Sequence, residues 1–79
     1  MTLAGAGQLR WQCRRGMREL DVLLTRYLRR RHATASSVEQ ALFVQILGWQ
    51  DPELVRYLLG GEVHADSATA KFLDVLRMP

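Results

Sequence analysis

The chain has 79 residues, which is enough for one small domain and too short for two. Hydrophobic residues make up 48% of it and charged residues 24%, a balance typical of a folded globular protein and too apolar for a disordered one. Because Cys13 is the sole cysteine, an internal disulfide is excluded, which fits a reducing compartment.

No apolar run approaches the roughly 20 residues that a membrane span needs. The first residues also lack an apolar core long enough for a secretory signal. We therefore expect a soluble intracellular protein without membrane insertion, provided that no targeting segment is missing from the sequence.

Positive charge is concentrated in the first 31 residues. They hold eight arginines against Glu19 and Asp21, whereas residues 32–79 hold three cations against six acids. Ten of the chain's eleven cations are arginine, which can form planar, bidentate contacts that lysine cannot. Codon bias in a GC-rich genome would explain this preference equally well.

The first two predicted helices are separated by a glycine. Leu9 and Cys13 lie four residues apart, with Ala6 a turn earlier, and predict a short helix that ends at Gly16. The second helix is predicted over residues 17–31, with cations in its last turn, where they suit the helix dipole. Its apolar face consists of Leu20, Leu23, Leu24, Tyr27 and Leu28.

The third predicted helix begins at a capping box. Either Ser36 with Glu39 or Ser37 with Gln40 matches that pattern, and Gly48 ends the helix. Its wide apolar face consists of Leu42, Phe43, Ile46, Leu47 and Trp49.

Two more helices follow. Asp51 is the predicted N-cap of the fourth, with a proline at the first helical position, and Gly60 and Gly61 end it. Asp66 or Ser67 is the predicted cap of the fifth. The inward residues are predicted to be Leu54, Tyr57 and Leu58 in the fourth helix and Phe72, Leu73 and Leu76 in the fifth.

Every strong period in the sequence is helical. We therefore predict an all-α fold, a compact bundle of five short helices that forms a single domain over residues 1–79. Residues 1–8 are left open as a flexible N-terminus.

Catalytic and metal-binding motifs are not found in the sequence. Cys13, His32 and His64 lack metal-ligand spacing. Glu19 and Asp21 point about 200° apart on one helix, so they cannot form a facing carboxylate pair. We expect neither catalysis nor a bound metal.

The segment around Gly16 has two explanations. In the structural one, Arg15 ends one helix and Glu19 begins the next, so that each charge suits its helix dipole. In the functional one, a rigid turn displays Arg14, Arg15, Arg18 and Glu19 at one corner for a partner.

Trp11 and the polar face of the second helix extend this corner. Trp11 lies about 200° from the inward stripe of the first helix, and tryptophan is enriched at binding hot spots, although packing against a second neighbour stays open. The second helix adds Asp21, Thr25 and Arg26. This mixture of acid and base fits a protein partner better than a nucleic-acid backbone.

The same segment resembles the SdhE family, whose mitochondrial counterpart is succinate dehydrogenase assembly factor 2. The family's RGxxE motif, which opens the second helix, is matched by Arg15, Gly16 and Glu19. The resemblance extends to residues 51–60, similar to a DPxLxxxLLG segment, whereas the basic run at residues 29–32 departs from the acidic or mixed family pattern.

The resemblance implies an assembly factor and not an enzyme. Family members are small helical bundles that bind the flavoprotein subunit of succinate dehydrogenase or fumarate reductase and promote covalent attachment of FAD to a histidine of that subunit. It implies that this chain binds no cofactor stably by itself, because FAD belongs to the partner. The partner-binding residues carried over are Arg15, Gly16 and Glu19, with Arg18 and Asp21 as neighbours and Arg14 and Trp11 as further candidates.

Other functions stay open at this point. The basic first 31 residues and the helix–turn–helix appearance of the first two helices also fit a small nucleic-acid-binding protein, although acids interrupt the patch. A helical docking module for another enzyme is a third interpretation. The resemblance also implies a bacterial cytoplasmic protein, or one of the mitochondrial matrix if a targeting segment is missing from the sequence. Under it we expect a monomer that binds no nucleic acid.

Overall fold

A short helix and a bend begin the described part of the chain. The computed structural model describes residues 6–78, and its first helix, α1, spans Ala6–Gln12. The prediction that this helix reaches Gly16 is wrong, since residues 13–17 form an irregular connection, which we call the bend. The N–H of Arg15 donates to a carboxylate oxygen of Asp21 at 2.7 Å, which helps to hold the backbone away from the helical path.

The inward stripe predicted for the first helix is confirmed at two of its three positions, because Leu9 in α1 and Cys13 at the start of the bend are buried. The side chain of Ala6 lies outside the described residues. The flexible N-terminus predicted over residues 1–8 also falls mostly outside them, and residues 6–8 form the first turn of α1.

The second helix, α2, spans Arg18–Arg30, within one residue of the prediction at each end. Leu20, Leu24 and Tyr27 are buried on its inner face, while Leu23 and Leu28 of the predicted stripe are half-buried. A single 3₁₀ turn, His32–Thr34, then leads towards the third helix.

The third helix, α3, spans Ser37–Leu47 and begins at the first of the two predicted caps. Ser36 Oγ accepts from the N–H of Glu39 at 3.2 Å. The Glu39 side chain does not complete a capping box, because its Oε2 accepts from the Tyr27 hydroxyl at 2.7 Å. This hydrogen bond links α3 to α2.

The fourth helix, α4, spans Asp51–Leu54 and continues as a π-helical turn over Val55–Leu59. The prediction that Asp51 is the N-cap is wrong, because Gln50 holds that position and its N–H donates to Glu53 Oε1 at 3.4 Å. Asp51 is the first helical residue, and its carboxylate faces the bend, as described below. The glycine pair after the π-helical turn ends the segment as predicted.

The fifth helix, α5, spans Ser67–Arg77, and Asp66 is its N-cap. The Asp66 carboxylate accepts from the backbone N–H of Thr69 at 2.9 Å and from its hydroxyl at 2.7 Å. These two hydrogen bonds stabilise the ionised form and lower the pKa of Asp66.

The helices meet around an aromatic centre. The Tyr27 ring lies 4.6 Å from the Phe43 ring and 5.2 Å from the Phe72 ring, measured between centroids. The rest of the buried core is aliphatic apart from Cys13 and includes Leu20, Leu24, Ile46, Leu54, Leu73 and Leu76. The prediction of an all-α bundle of five helices is confirmed for residues 6–78.

The buried Cys13 provides a test of how tightly α1 and the bend are packed. Burial raises the pKa of its thiol from the ordinary 9.0 to about 11. As the pH rises, the thiol ionises in the unfolded chain before it ionises in the folded protein. Its contribution to the free energy of unfolding is therefore intact below pH 9 and is lost as the pH rises towards 11. At pH 10.5 we expect this group alone to lower the free energy of unfolding by about 2 kcal/mol.

Urea unfolding at pH 8 and pH 10.5 measures that loss. Burial and the hydrogen bond to Glu39 also raise the pKa of Tyr27, so part of the alkaline destabilisation has another source. The Cys13→Ala variant retains the Tyr27 part and isolates the thiol. An identical change in unfolding free energy in both proteins would contradict the prediction.

Candidate protein-binding surface

Arg15 of the RGxxE motif points into the molecule. Its Nη1 donates to the carbonyl oxygen of Trp49 at 3.2 Å and lies 3.4 Å from Asp51 Oδ1, and its Nη2 donates to the carbonyl oxygen of Leu47. The Arg15 side chain is 16% exposed. The expectation that its guanidinium faces outward for a partner is therefore wrong.

The contacts of Arg15 join two connections of the fold. Leu47 is the last residue of α3, and its carbonyl is one of those that a helix end leaves without an intrahelical partner. Asp51 is the first residue of α4. Arg15 therefore attaches the bend between α1 and α2 to the connection between α3 and α4.

Asp21 also supports the bend. It lies in the first turn of α2, where a carboxylate suits the helix dipole, and it accepts the hydrogen bond from the Arg15 N–H. Its side chain is half-buried. A role for Asp21 in contacting a partner stays a prediction.

The backbone conformation at position 16 requires a glycine. Its φ of 79° lies in the left-handed region that residues with a Cβ rarely adopt. A Cβ built on Gly16 would meet no atom within 4 Å, so there is space for a side chain and the glycine is needed only for its φ. A side chain added here would project from the surface beside the bend.

The remaining predicted site residues are exposed around the bend. We call this set the bend surface: Trp11, Arg14, Gly16, Arg18 and Glu19. Trp11 is 74% exposed, which answers the question that its position on α1 left open. Tryptophan and arginine, both exposed here, are residue types enriched at protein-binding hot spots.

An open groove continues from the bend along the outer side of α2. Its lining residues are Gly16, Arg18, Asp21, Val22, Thr25, Arg26, Arg29 and Arg30. We call the seven of these that belong to the helix the α2 outer face. The sequence predicted part of this face, as the polar residues Asp21, Thr25 and Arg26. The helical period also places positions 18, 22 and 29 on this side of the helix.

Neither a candidate metal site nor a membrane-spanning helix is found among the described residues. Among residues 6–78 no cluster of three or more His, Cys, Asp or Glu side chains could hold a metal ion. None of the helices in this range has the length and apolar character required to cross a bilayer. Exposed arginines can bind carboxylates, and Trp11 can enter an apolar pocket of another protein.

The fold and its exposed surfaces define a small helical protein-binding module. Residues 7–78 match the family model described as "Flavinator of succinate dehydrogenase". The chain belongs to this family, and the resemblance predicted from the RGxxE motif is confirmed.

Several bacterial relatives are named "FAD assembly factor SdhE". One from Xylella fastidiosa is 45% identical over 74 residues, which are 94% of this chain and 76% of the relative. One from Shewanella oneidensis is 36% identical over 77 residues, covering 98% of this chain and 94% of the relative. One from Coxiella burnetii is 37% identical over 70 residues, covering 89% and 82%. No solved structure matches the chain significantly.

Proposed function

We propose that this chain is an FAD assembly factor that binds the flavoprotein subunit of succinate dehydrogenase or fumarate reductase and promotes covalent attachment of FAD to it. The observation that carries the proposal is the family match over residues 7–78, which includes the RGxxE motif. The protein acts as a monomer in the cytoplasm, and FAD stays with the partner throughout.

The geometry of the bend supports a positioning role. Arg15 and Asp21 form hydrogen bonds that fix the backbone of the bend, so the backbone positions next to it are held relative to one another. A rigid surface can hold a partner's reacting groups in a productive arrangement without supplying a nucleophile. Trp11, Arg18 and Glu19 are the side chains that we assign to this contact.

Deletion of the gene tests the proposed function. Covalently bound flavin is measured as fluorescence of the flavoprotein subunit on a denaturing gel. We expect the signal to fall strongly in the deletion strain and to return when the wild-type gene is supplied. Unchanged fluorescence in the deletion strain would contradict the proposal.

Co-purification of the flavoprotein with variants of this chain tests whether the bend surface forms the contact. Glu19→Ala should weaken co-purification of the flavoprotein while circular dichroism shows nearly unchanged helix content, because the position is exposed. Gly16→Arg should also weaken co-purification with helix content largely retained, because the bend lies outside the helices, although the positive φ of this position makes the substitution strained. Glu62→Ala removes an exposed carboxylate far along the chain from the bend and is the matched control. Normal co-purification of both test variants would contradict the assignment.

Nucleic-acid binding has less support. Glu19 and Asp21 interrupt the basic surface, whereas a nucleic-acid-binding face presents base without acid. Neither the family description nor the names of the three relatives refers to nucleic acid. A gel-shift titration at two salt concentrations distinguishes the two functions.

A further inference from the structure

The α2 outer face carries a cluster of arginines that the RGxxE motif does not include. Arg18, Thr25 and Arg29 lie within about 60° of Val22 around the helix axis, and Arg26 and Arg30 flank them on one side. The opposite side of α2 is buried in the core. The helix therefore separates an apolar inner face from a strongly basic outer one.

The charges of this face are available to another molecule. Within residues 6–78 the salt bridges of the structure use Arg15, Arg56 and Arg77, and none uses an arginine of α2. Arg26 Nη2 donates to the carbonyl oxygen of Met78 at 2.9 Å, which orients that side chain. Arg29 and Arg30 are exposed. Four arginines against Asp21 leave a net positive groove.

The shape of the groove indicates the kind of ligand that it fits. From Arg18 to Arg29 the face extends about 17 Å, the length of three turns of helix. Val22 lies in this stretch and is 51% exposed. A complementary segment would place an apolar side chain on Val22 and carboxylates on either side, as an amphipathic acidic helix does. A nucleic-acid backbone would instead meet Val22 and the carboxylate of Asp21.

We propose that the α2 outer face binds an acidic helical segment of the flavoprotein subunit, as a second contact continuous with the bend surface. Carboxylates of that segment pair with Arg18, Arg29 and Arg30, and an apolar residue packs on Val22. The proposal rests on the proposed function for the identity of the partner. It adds a contact that depends on charge, whereas Trp11 provides one that depends on burial of apolar surface.

Affinity measurements at two salt concentrations test this contact. The dissociation constant of the purified flavoprotein subunit is measured at 50 and 300 mM salt for the wild type, for the Arg29→Gln/Arg30→Gln variant and for an Arg56→Gln/Lys71→Gln variant. The last pair removes the same charge from exposed positions outside α2. We expect the Arg29→Gln/Arg30→Gln variant to bind about tenfold more weakly at 50 mM and to lose most of the salt dependence. The control should resemble the wild type.

Each other outcome overturns a distinct statement. If the wild type binds and the Arg29→Gln/Arg30→Gln variant matches it at both salt concentrations, the docking proposal is wrong and the proposed function stands. If the wild type does not bind the flavoprotein, both are wrong. If the α2 variant loses only binding of a DNA or RNA oligonucleotide, or only self-association in sedimentation experiments, the face serves a different ligand and the proposal is overturned.

Discussion

Replacing Arg15 with alanine is expected to lower the free energy of unfolding by about 2–4 kcal/mol, an unusually large effect for a residue outside the hydrophobic core. The Arg15 guanidinium satisfies the carbonyls of Leu47 and Trp49 and pairs with Asp51. Its removal leaves both carbonyls without this partner and releases the bend from the connection between α3 and α4. Asp51 is partly exposed, so water relieves some of the cost.

Urea denaturation monitored by circular dichroism measures this effect. Arg14→Ala is the matched control, because it removes a neighbouring arginine that is exposed, and its effect should stay within about 0.5 kcal/mol. Arg15→Lys should recover only part of the stability, since an ammonium cannot reach several acceptors with the planar geometry of a guanidinium. Equal unfolding free energies for Arg14→Ala and Arg15→Ala would refute the structural role of Arg15.

Replacing Trp11 with alanine is expected to have the converse effect. Trp11 is 74% exposed, so its loss should change the free energy of unfolding by no more than about 0.5 kcal/mol. If it is the apolar anchor of the bend surface, the affinity for the flavoprotein subunit should fall about 30-fold or more, as expected for a tryptophan hot spot. Isothermal titration calorimetry with the purified subunit measures the change.

Val63→Ala is the control for loss of exposed apolar surface. Val63 is 80% exposed and lies in the connection before α5, so its truncation should leave the affinity unchanged. Wild-type affinity of the Trp11→Ala variant would show that the bend surface does not use this side chain. Destabilisation as large as that from Arg15→Ala would show that Trp11 packs in the fold after all.

The three named positions of the RGxxE motif therefore differ physically. Arg15 is half-buried and links two connections, Gly16 supplies a positive φ, and Glu19 is exposed on the first turn of α2. Substitutions at these positions can reduce binding for different reasons. Stability measurements separate them: Arg15 variants should lose the most, substitutions at Gly16 should lose about 1–2 kcal/mol because of its positive φ, and Glu19 variants should lose little.

The positions of α2, α3 and α5 could be predicted from the sequence, whereas the end of α1 and the N-cap of α4 were predicted wrongly. The apolar period of α2 placed its ends within one residue, and one of the two caps predicted for each of α3 and α5 begins the helix. Such signals work because each depends on residues three or four positions apart, which the helix itself brings together. The same geometry placed Trp11 away from the inward stripe of α1, but only the structure showed that its side chain is exposed.

Only the tertiary structure decided where the polar side chains point. Arg15 donates to acceptors 32 to 36 residues away in the chain. The Glu39 carboxylate accepts a hydrogen bond from Tyr27, 12 residues earlier, and does not cap its own helix. Rules based on neighbouring residues cannot predict these partners. An interaction with a helix dipole or a helix cap stabilises a polar side chain by about as much free energy as a hydrogen bond to a distant residue does. The helices of this chain are thus determined by residues that are close in sequence. The direction of its long polar side chains depends on which connections the packed helices bring together.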